Sequence, residues 1–227
     1  MPTIVWAGPA VAGFKGPAEG QVRLVRLAND ATPYGLEFRL APGWHTYWAL
    51  PGDAGLPPRI EADGVEVAAQ FPKPIAFDEG GMVAFGYGDS AVLPLQLPLV
   101  VDGRPNKITV DYGVCADICI PVHVTLSIAE NLPLVNARAV PGDGGQIMAH
   151  RDGQYIVVSA PLDGMVLLAV GDNYAVQMVP DAKGRLVADM RSTAEAGRAF
   201  TLPLGLYVYG ADGAVRHAVQ PSSGGSN

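Results

Sequence analysis

Cysteine is almost missing from this chain: its 227 residues contain two, Cys115 and Cys119. Two thiols cannot build the multi-bridge framework of a small secreted scaffold. They also cannot complete a tetrahedral zinc site without two further ligands. Charge is sparse too, at 16%, and it leans acidic, with 15 Lys and Arg against 22 Asp and Glu. No basic block exists, which excludes a nucleic-acid interface of the usual electrostatic kind. No apolar run reaches the ~18 residues of a membrane span; Ala91–Val101 comes nearest and is broken by Pro94, Gln96 and Pro98. The start, Met1-Pro-Thr-Ile-Val-Trp6, lacks the basic and long apolar parts of a signal peptide. The expectation is a cytosolic chain or one whose export signal has been removed. Sustained 3.6-residue periodicity is absent before residue 130, and no strand–GxGxxG–helix context, Ser/His/Asp set or spaced carboxylate pair stands out.

What remains is 49% hydrophobic, with 28 Gly and 20 Pro. That balance describes a globular β protein with many turns. Val22–Leu27, Tyr34–Leu40 and Pro42–Trp48 read as strands, with turn residues Asn29–Pro33 between the first two. Val65–Phe71 is a shorter candidate. Ile75–Gly88, rich in Gly and aromatics, reads as a loop or hairpin, and Ala91–Leu99 as a Pro-punctuated edge strand. Asn131–Gly145 has the composition of a linker. Beyond it, Gln154–Ala160, Met165–Val170, Tyr174–Val179, Arg185–Asp189, Leu204–Tyr209 and Ala214–Val219 repeat the strand pattern, with a hairpin-type turn at Gly210–Gly213. The expected architecture is all-β: two immunoglobulin-like β-sandwich domains in tandem, 1–132 and 133–227, ending in a flexible tail from Pro221.

The chemistry concentrates in Tyr112-Gly-Val-Cys-Ala-Asp-Ile-Cys-Ile-Pro121. Along a strand the two cysteines would stand ~13 Å apart, whereas a disulfide needs ~4.4–6.8 Å between Cα atoms. If they pair, the chain between them curls, and Ala116 and Asp117 suit a tight bend between flanking strands. Such a dithiol can exchange electrons with a partner disulfide, one thiol attacking and the other resolving. It can also be a plain staple, although so short a loop constrains the unfolded chain little. Spacing alone leaves exchange and staple level. His123 could offer a third zinc ligand, but no fourth is evident; as a strand residue it is expected half-exposed and turned from the thiols. Asp117 inside the bend would raise a neighbouring thiol's pKa by like-charge repulsion. Trp44, Tyr47 and Trp48 read as core. Phe77, Phe85 and Tyr87 lie among paired glycines (Gly80-Gly81, Gly86, Gly88), where an aromatic could cover a reactive disulfide. The six methionines, Met82 and Met148 among them, form no ligand-like cluster.

Together, Trp44-His-Thr-Tyr-Trp-Ala-Leu-Pro-Gly-Asp-Ala-Gly-Leu-Pro57, Phe85-Gly-Tyr87 and Val114-Cys-Ala-Asp-Ile-Cys-Ile-Pro121 resemble the N-terminal periplasmic region of the DsbD/ScsB family of transmembrane thiol–disulfide reductases. The three-residue cysteine spacing and the second β half are similar to the ScsB branch. DsbD itself separates its cysteines further. The resemblance implies a periplasmic, monomeric head of an inner-membrane protein, with no metal or cofactor. It implies electrons arriving from the transmembrane domain of the same reductase and leaving to thioredoxin-fold or peroxiredoxin-like proteins. By the same resemblance Cys119 forms the mixed disulfide and Cys115 resolves it. Phe77, Phe85 and Tyr87 supply the cap, and Tyr47, Tyr112, Asp117 and Pro121 support the site. A different class of reading is a non-catalytic binding module, for a partner or copper, with a structural disulfide.

Overall fold

The computed structural model describes residues 13–28, 33–97, 105, 107–128, 132–136, 141–160, 162–171, 174–190, 204–210 and 213–221. The turn at 29–32, the tip at 211–212, parts of the 131–145 segment and the tail 222–227 lie outside them. Among the described residues every regular element is a strand. The first twelve are β1 (Gly20–Leu27), β2 (Tyr34–Leu40), β3 (His45–Gly52), β4 (Arg59–Ala62), β5 (Val65–Glu66), β6 (Ala68–Ala69), β7 (Ile75–Glu79), β8 (Met82–Gly88), β9 (Ser90–Gln96), β10 (Lys107–Cys115), β11 (Cys119–Ser127) and β12 (Leu134–Val135). Then follow β13 (Gly142–Asp152), β14 (Tyr155–Val158), β15 (Met165–Val170), β16 (Tyr174–Pro180), β17 (Leu186–Asp189), β18 (Leu204–Gly210) and β19 (Gly213–Pro221).

The chain forms two compact units, and neither is one continuous stretch. The first comprises Met1–His45, Arg59–Ala69 and Gly88–Ala137; the second comprises Thr46–Pro58, Gln70–Tyr87 and Arg138–Asn227.

In the first unit, one sheet runs β12-β1-β2-β9-β6. The other places β5 and β4 on one side of β10 and β11 on its opposite side, with β3 meeting β10 at the pair Cys115↔His45. Alternation supplies the facing core. Val22, Leu24, Leu36, Phe38 and Leu93 come from the first sheet, and Ile60, Ile108, Val110, Tyr112 and Val114 from the second, all buried. Each such burial stabilises by about 1.5–3 kcal/mol. Tyr112 ties the two sheets together. Its ring stands edge-on to Phe38 at 5.2 Å, and its hydroxyl donates to the Gly20 carbonyl at 2.9 Å. On the outer face, Arg23 and Glu37, directly opposed in the β1–β2 register, meet at 2.6 Å. β9 is not an edge strand: β2 pairs on one side and the short β6 on the other.

In the second unit a closed barrel runs β13-β14-β17-β16-β15-β18-β19. A second sandwich was expected there. The difference traces to β13, whose first four residues read as linker because of their glycines. It pairs antiparallel with β14 and parallel with β19, and so joins the two ends of the sheet. Ile156, Val158, Leu168, Ala188 and Leu206 fill the barrel. The same unit holds the β7–β8 hairpin, turned through Gly80 and Gly81, whose φ values of +67° and +89° suit glycine. Trp48 also belongs here, packed edge-on against Tyr207 at 5.0 Å.

Candidate exchange site

β10 and β11 form a hairpin whose register ends at Cys115↔Cys119. The two cysteines are joined as a disulfide with Cα atoms 4.1 Å apart. The expected bend is therefore a three-residue hairpin turn, closed by the Ala116 N–H donating to the Ile118 carbonyl at 3.0 Å.

Three contacts fix which backbone groups face which way. Lys107 directs its carbonyl to the Asp63 N–H and its own N–H to the Asp63 carboxylate, on the β4 side. Ala116 and Ile118 bond to each other across the turn. The Thr125 carbonyl accepts from the Lys15 ammonium at 2.9 Å. In an antiparallel ladder, residues bonded to the partner strand alternate with residues whose backbone groups point outward. The even-numbered pairs of this hairpin are thus the hydrogen-bonded ones. Cys115↔Cys119, Gly113↔Pro121 and Asp111↔His123 are the non-bonded pairs, where Cα atoms approach most closely. A cross-strand disulfide fits such a pair. Pro121 fits as well, because a residue with its nitrogen facing outward loses no ladder bond.

Burial divides the cysteines. Cys115 is 0% exposed, whereas Cys119 lies exposed at the start of β11. The turn between them is open, with Ala116 and Asp117 exposed and Ile118 65% exposed. Tyr112 lies below in the core, and burial pushes its phenol well above the ordinary range. His123 shares the outer sheet face with Cys119, contrary to the orientation expected for it. It is 66% exposed and sits 2.7 Å from Asp111. Among the described residues no group of three or more His, Cys, Asp or Glu is placed to hold a metal ion.

Cys115, Cys119, Asp117 and Pro121 thus lie together at the hairpin tip in the first unit, whereas Tyr112, expected to support the site, turns from the same hairpin into the core against Phe38 and Gly20. Phe77, Phe85, Tyr87 and Tyr47 belong to the second. Phe85 and Tyr87 are buried there, with the Tyr87 hydroxyl donating to the Pro72 carbonyl at 2.8 Å. Phe77 is half-buried on β7, and the Tyr47 hydroxyl donates to Glu79 at 2.9 Å. The sequence reading missed His45, which is buried opposite Cys115, and the exposed Ile118. A lone histidine inside an aromatic run carries no signal of its own. Ile118 lies inside the motif, but the spacing of the cysteines carries no signal of its exposure.

The fold is similar to that in the crystal structure of the N-terminal periplasmic domain of ScsB from Proteus mirabilis. The TM-score is 0.62 at 21% identity, over 91% of this chain and 96% of that one. The N-terminal domain of Neisseria meningitidis DsbD, in its reduced form, matches with a TM-score of 0.33 at 22% identity, over 48% of this chain and 85% of that one. No curated protein matches the sequence. The family profile "Thiol:disulfide interchange protein DsbD, N-terminal" covers residues 17–130, half of the chain and the whole β10–β11 hairpin. With its cysteine pair at bonding distance inside that matched region, the chain belongs to the DsbD N-terminal family of thiol:disulfide interchange domains.

Proposed function

We propose that this chain delivers reducing equivalents to disulfides of partner proteins through Cys115 and Cys119, in the periplasm, as the soluble head of a membrane reductase. One observation carries the reading: the paired cysteines are unequally exposed, Cys119 at the surface and Cys115 buried. In the dithiol form the Cys119 thiolate attacks one sulfur of the partner disulfide. The partner's other sulfur leaves as a thiolate and takes a proton. The Cys115 thiolate then attacks Cys119 Sγ, which re-forms the internal bond and releases the second partner thiol. Two electrons and two protons pass to the partner. Buried behind Cys119, Cys115 is shielded from protein partners yet adjacent to the sulfur it must attack. The transmembrane domain of the same reductase would restore the dithiol, and thioredoxin-fold or peroxiredoxin-like proteins would be the acceptors.

Mixed-disulfide trapping tests this assignment. Cys115→Ala is expected to capture a disulfide-bonded partner that dithiothreitol releases, and Cys119→Ala to capture none. Capture by Cys119→Ala alone would reverse the roles. A Cys115–Cys119 reduction potential below about −300 mV would mark the bond as structural and end the exchange reading.

A further inference from the structure

At the first residue of β3, His45 stands opposite Cys115 on β10. Cys115 meets Cys119 as a non-bonded pair, so its N–H and carbonyl face the other way, toward β3. Cys115 and His45 therefore form a bonded pair, with Cα atoms ~5.5 Å apart and side chains on the same face of the sheet. That face carries the disulfide. His45 is 7% exposed and Cys115 0%. His45 is buried, whereas His123, His150 and His217 are not. The buried histidine of the chain thus lies beside the buried cysteine.

The exchange reading leaves one proton unplaced. While the partner's sulfur is on Cys119, Cys115 is a thiol. Burial favours that neutral form over the thiolate that must attack. A sulfur released from Cys119 can turn about χ1 into another staggered position, toward the β3 side. Imidazole is the side chain suited to taking up and returning a proton near neutral pH.

We propose that His45 carries the proton of Cys115. This rests on the exchange reading above and adds to it the fate of the resolving proton. The Cys115 S–H gives its proton to the imidazole, and the thiolate so formed attacks Cys119 Sγ. The bond from Cys119 to the partner breaks, the internal disulfide re-forms, and the partner's sulfur leaves with the electron pair. The proton on His45 then passes through solvent to that thiolate, which restores the neutral ring. When the chain is recharged the steps reverse. A donor thiolate attacks Cys119 Sγ, Cys115 leaves as a thiolate, and His45, which has taken up the donor's proton, protonates it. The pairing is that of a thiol with an adjacent base. The other titratable groups on this face of β4, β10 and β11 are Arg59, Glu61, Lys107, Asp111 and His123, all partly or fully open to solvent, as is Asp117 at the turn. On β3 the next residue of that parity, Tyr47, donates to Glu79.

The test follows thionitrobenzoate release when the reduced chain meets the symmetrical disulfide of thionitrobenzoate. Attack by Cys119 releases one equivalent in a step proportional to reagent concentration. Attack by Cys115 on Cys119 releases another in a step independent of it. In His45→Gln the first step is expected to stay within about twofold of the wild type, and the second to slow by about tenfold or more at pH 7. At a pH of about 9.5 that deficit should shrink, because bulk base then supplies the thiolate. A second step unchanged at pH 7, or slowed equally at both pH values, overturns the proposal and leaves the exchange reading standing. Absence of the first step from the wild type overturns both. If His45→Gln does not fold, as judged by circular dichroism, the native ring decides. Nuclear magnetic resonance titration of the His45 ring nitrogens in the reduced chain is compared with that in reduced Cys115→Ala. Thiol and imidazole side by side titrate as a coupled pair, so the midpoints should differ by about one pH unit or more. Equal midpoints overturn the proposal.

Discussion

The roles of individual residues around the hairpin follow from which way each faces. That Cys115 and Cys119 could pair only across a bend was legible from spacing, and the disulfide closes such a bend. Their unequal exposure was not legible, since burial of Cys115 depends on what packs around β10 rather than on its neighbours in sequence. His123 shows the limit of local pattern. Alternation with Val122 and Val124 correctly puts it opposite the core, but the disulfide lies on that outer face too. Tyr112 is the residue on which the hairpin's seating depends most directly. Its hydroxyl satisfies the Gly20 carbonyl inside the sandwich, and its ring packs on Phe38. Tyr112→Phe keeps the ring and leaves that buried carbonyl without this donor. The expected loss is about 1 kcal/mol in stability, read by chemical denaturation. The rate of exchange with small disulfides should stay unchanged, because the phenol faces away from the sulfurs. A large change in that rate would give Tyr112 a part in the chemistry.

At the scale of elements, a strand with alternation, such as β2, and one with a continuous apolar run, such as β15, were readable, and two bearing glycine or proline were misread. β13 carries three glycines in its first four residues and looked like linker, yet it closes the barrel. β9 contains Pro94 and looked like an edge, yet it has neighbours on both sides. Both errors share one cause: strand identity there is set by long-range pairing, which local propensity does not record. Pro121 is the informative contrast, a proline on a strand that among the described residues pairs on one side only. Because its nitrogen faces away from β10, Pro121→Ala creates an outward donor and breaks nothing. Denaturation midpoints should shift by no more than ~0.5 kcal/mol equivalent. Self-association under stress, followed by light scattering, should rise, because an edge without proline templates pairing more readily. A loss well beyond that bound would mean that Pro121 supports the ladder in some further way.

For the molecule as a whole, the question is whether the fold survives the redox cycle assigned to it. A disulfide closing so short a loop restricts the unfolded chain weakly, by about 2 kcal/mol on chain-entropy grounds. Against that stand the sandwich core on both sides of Tyr112 and the separately filled barrel. The expected all-β class follows from the same abundance of alternating strands. The division into units did not follow from sequence, because Thr46–Pro58 and Gln70–Tyr87 join the second unit through contacts made far along the chain. Reduction should therefore leave the fold in place. Circular dichroism of the reduced and oxidised forms should superimpose, and the melting temperature should fall by less than about 8 °C. A carrier that alternates between dithiol and disulfide requires this, since a fold that depended on the bond would be lost in every cycle. If reduction unfolded the first unit, the bond would be a staple, and the hairpin could not return to accept electrons.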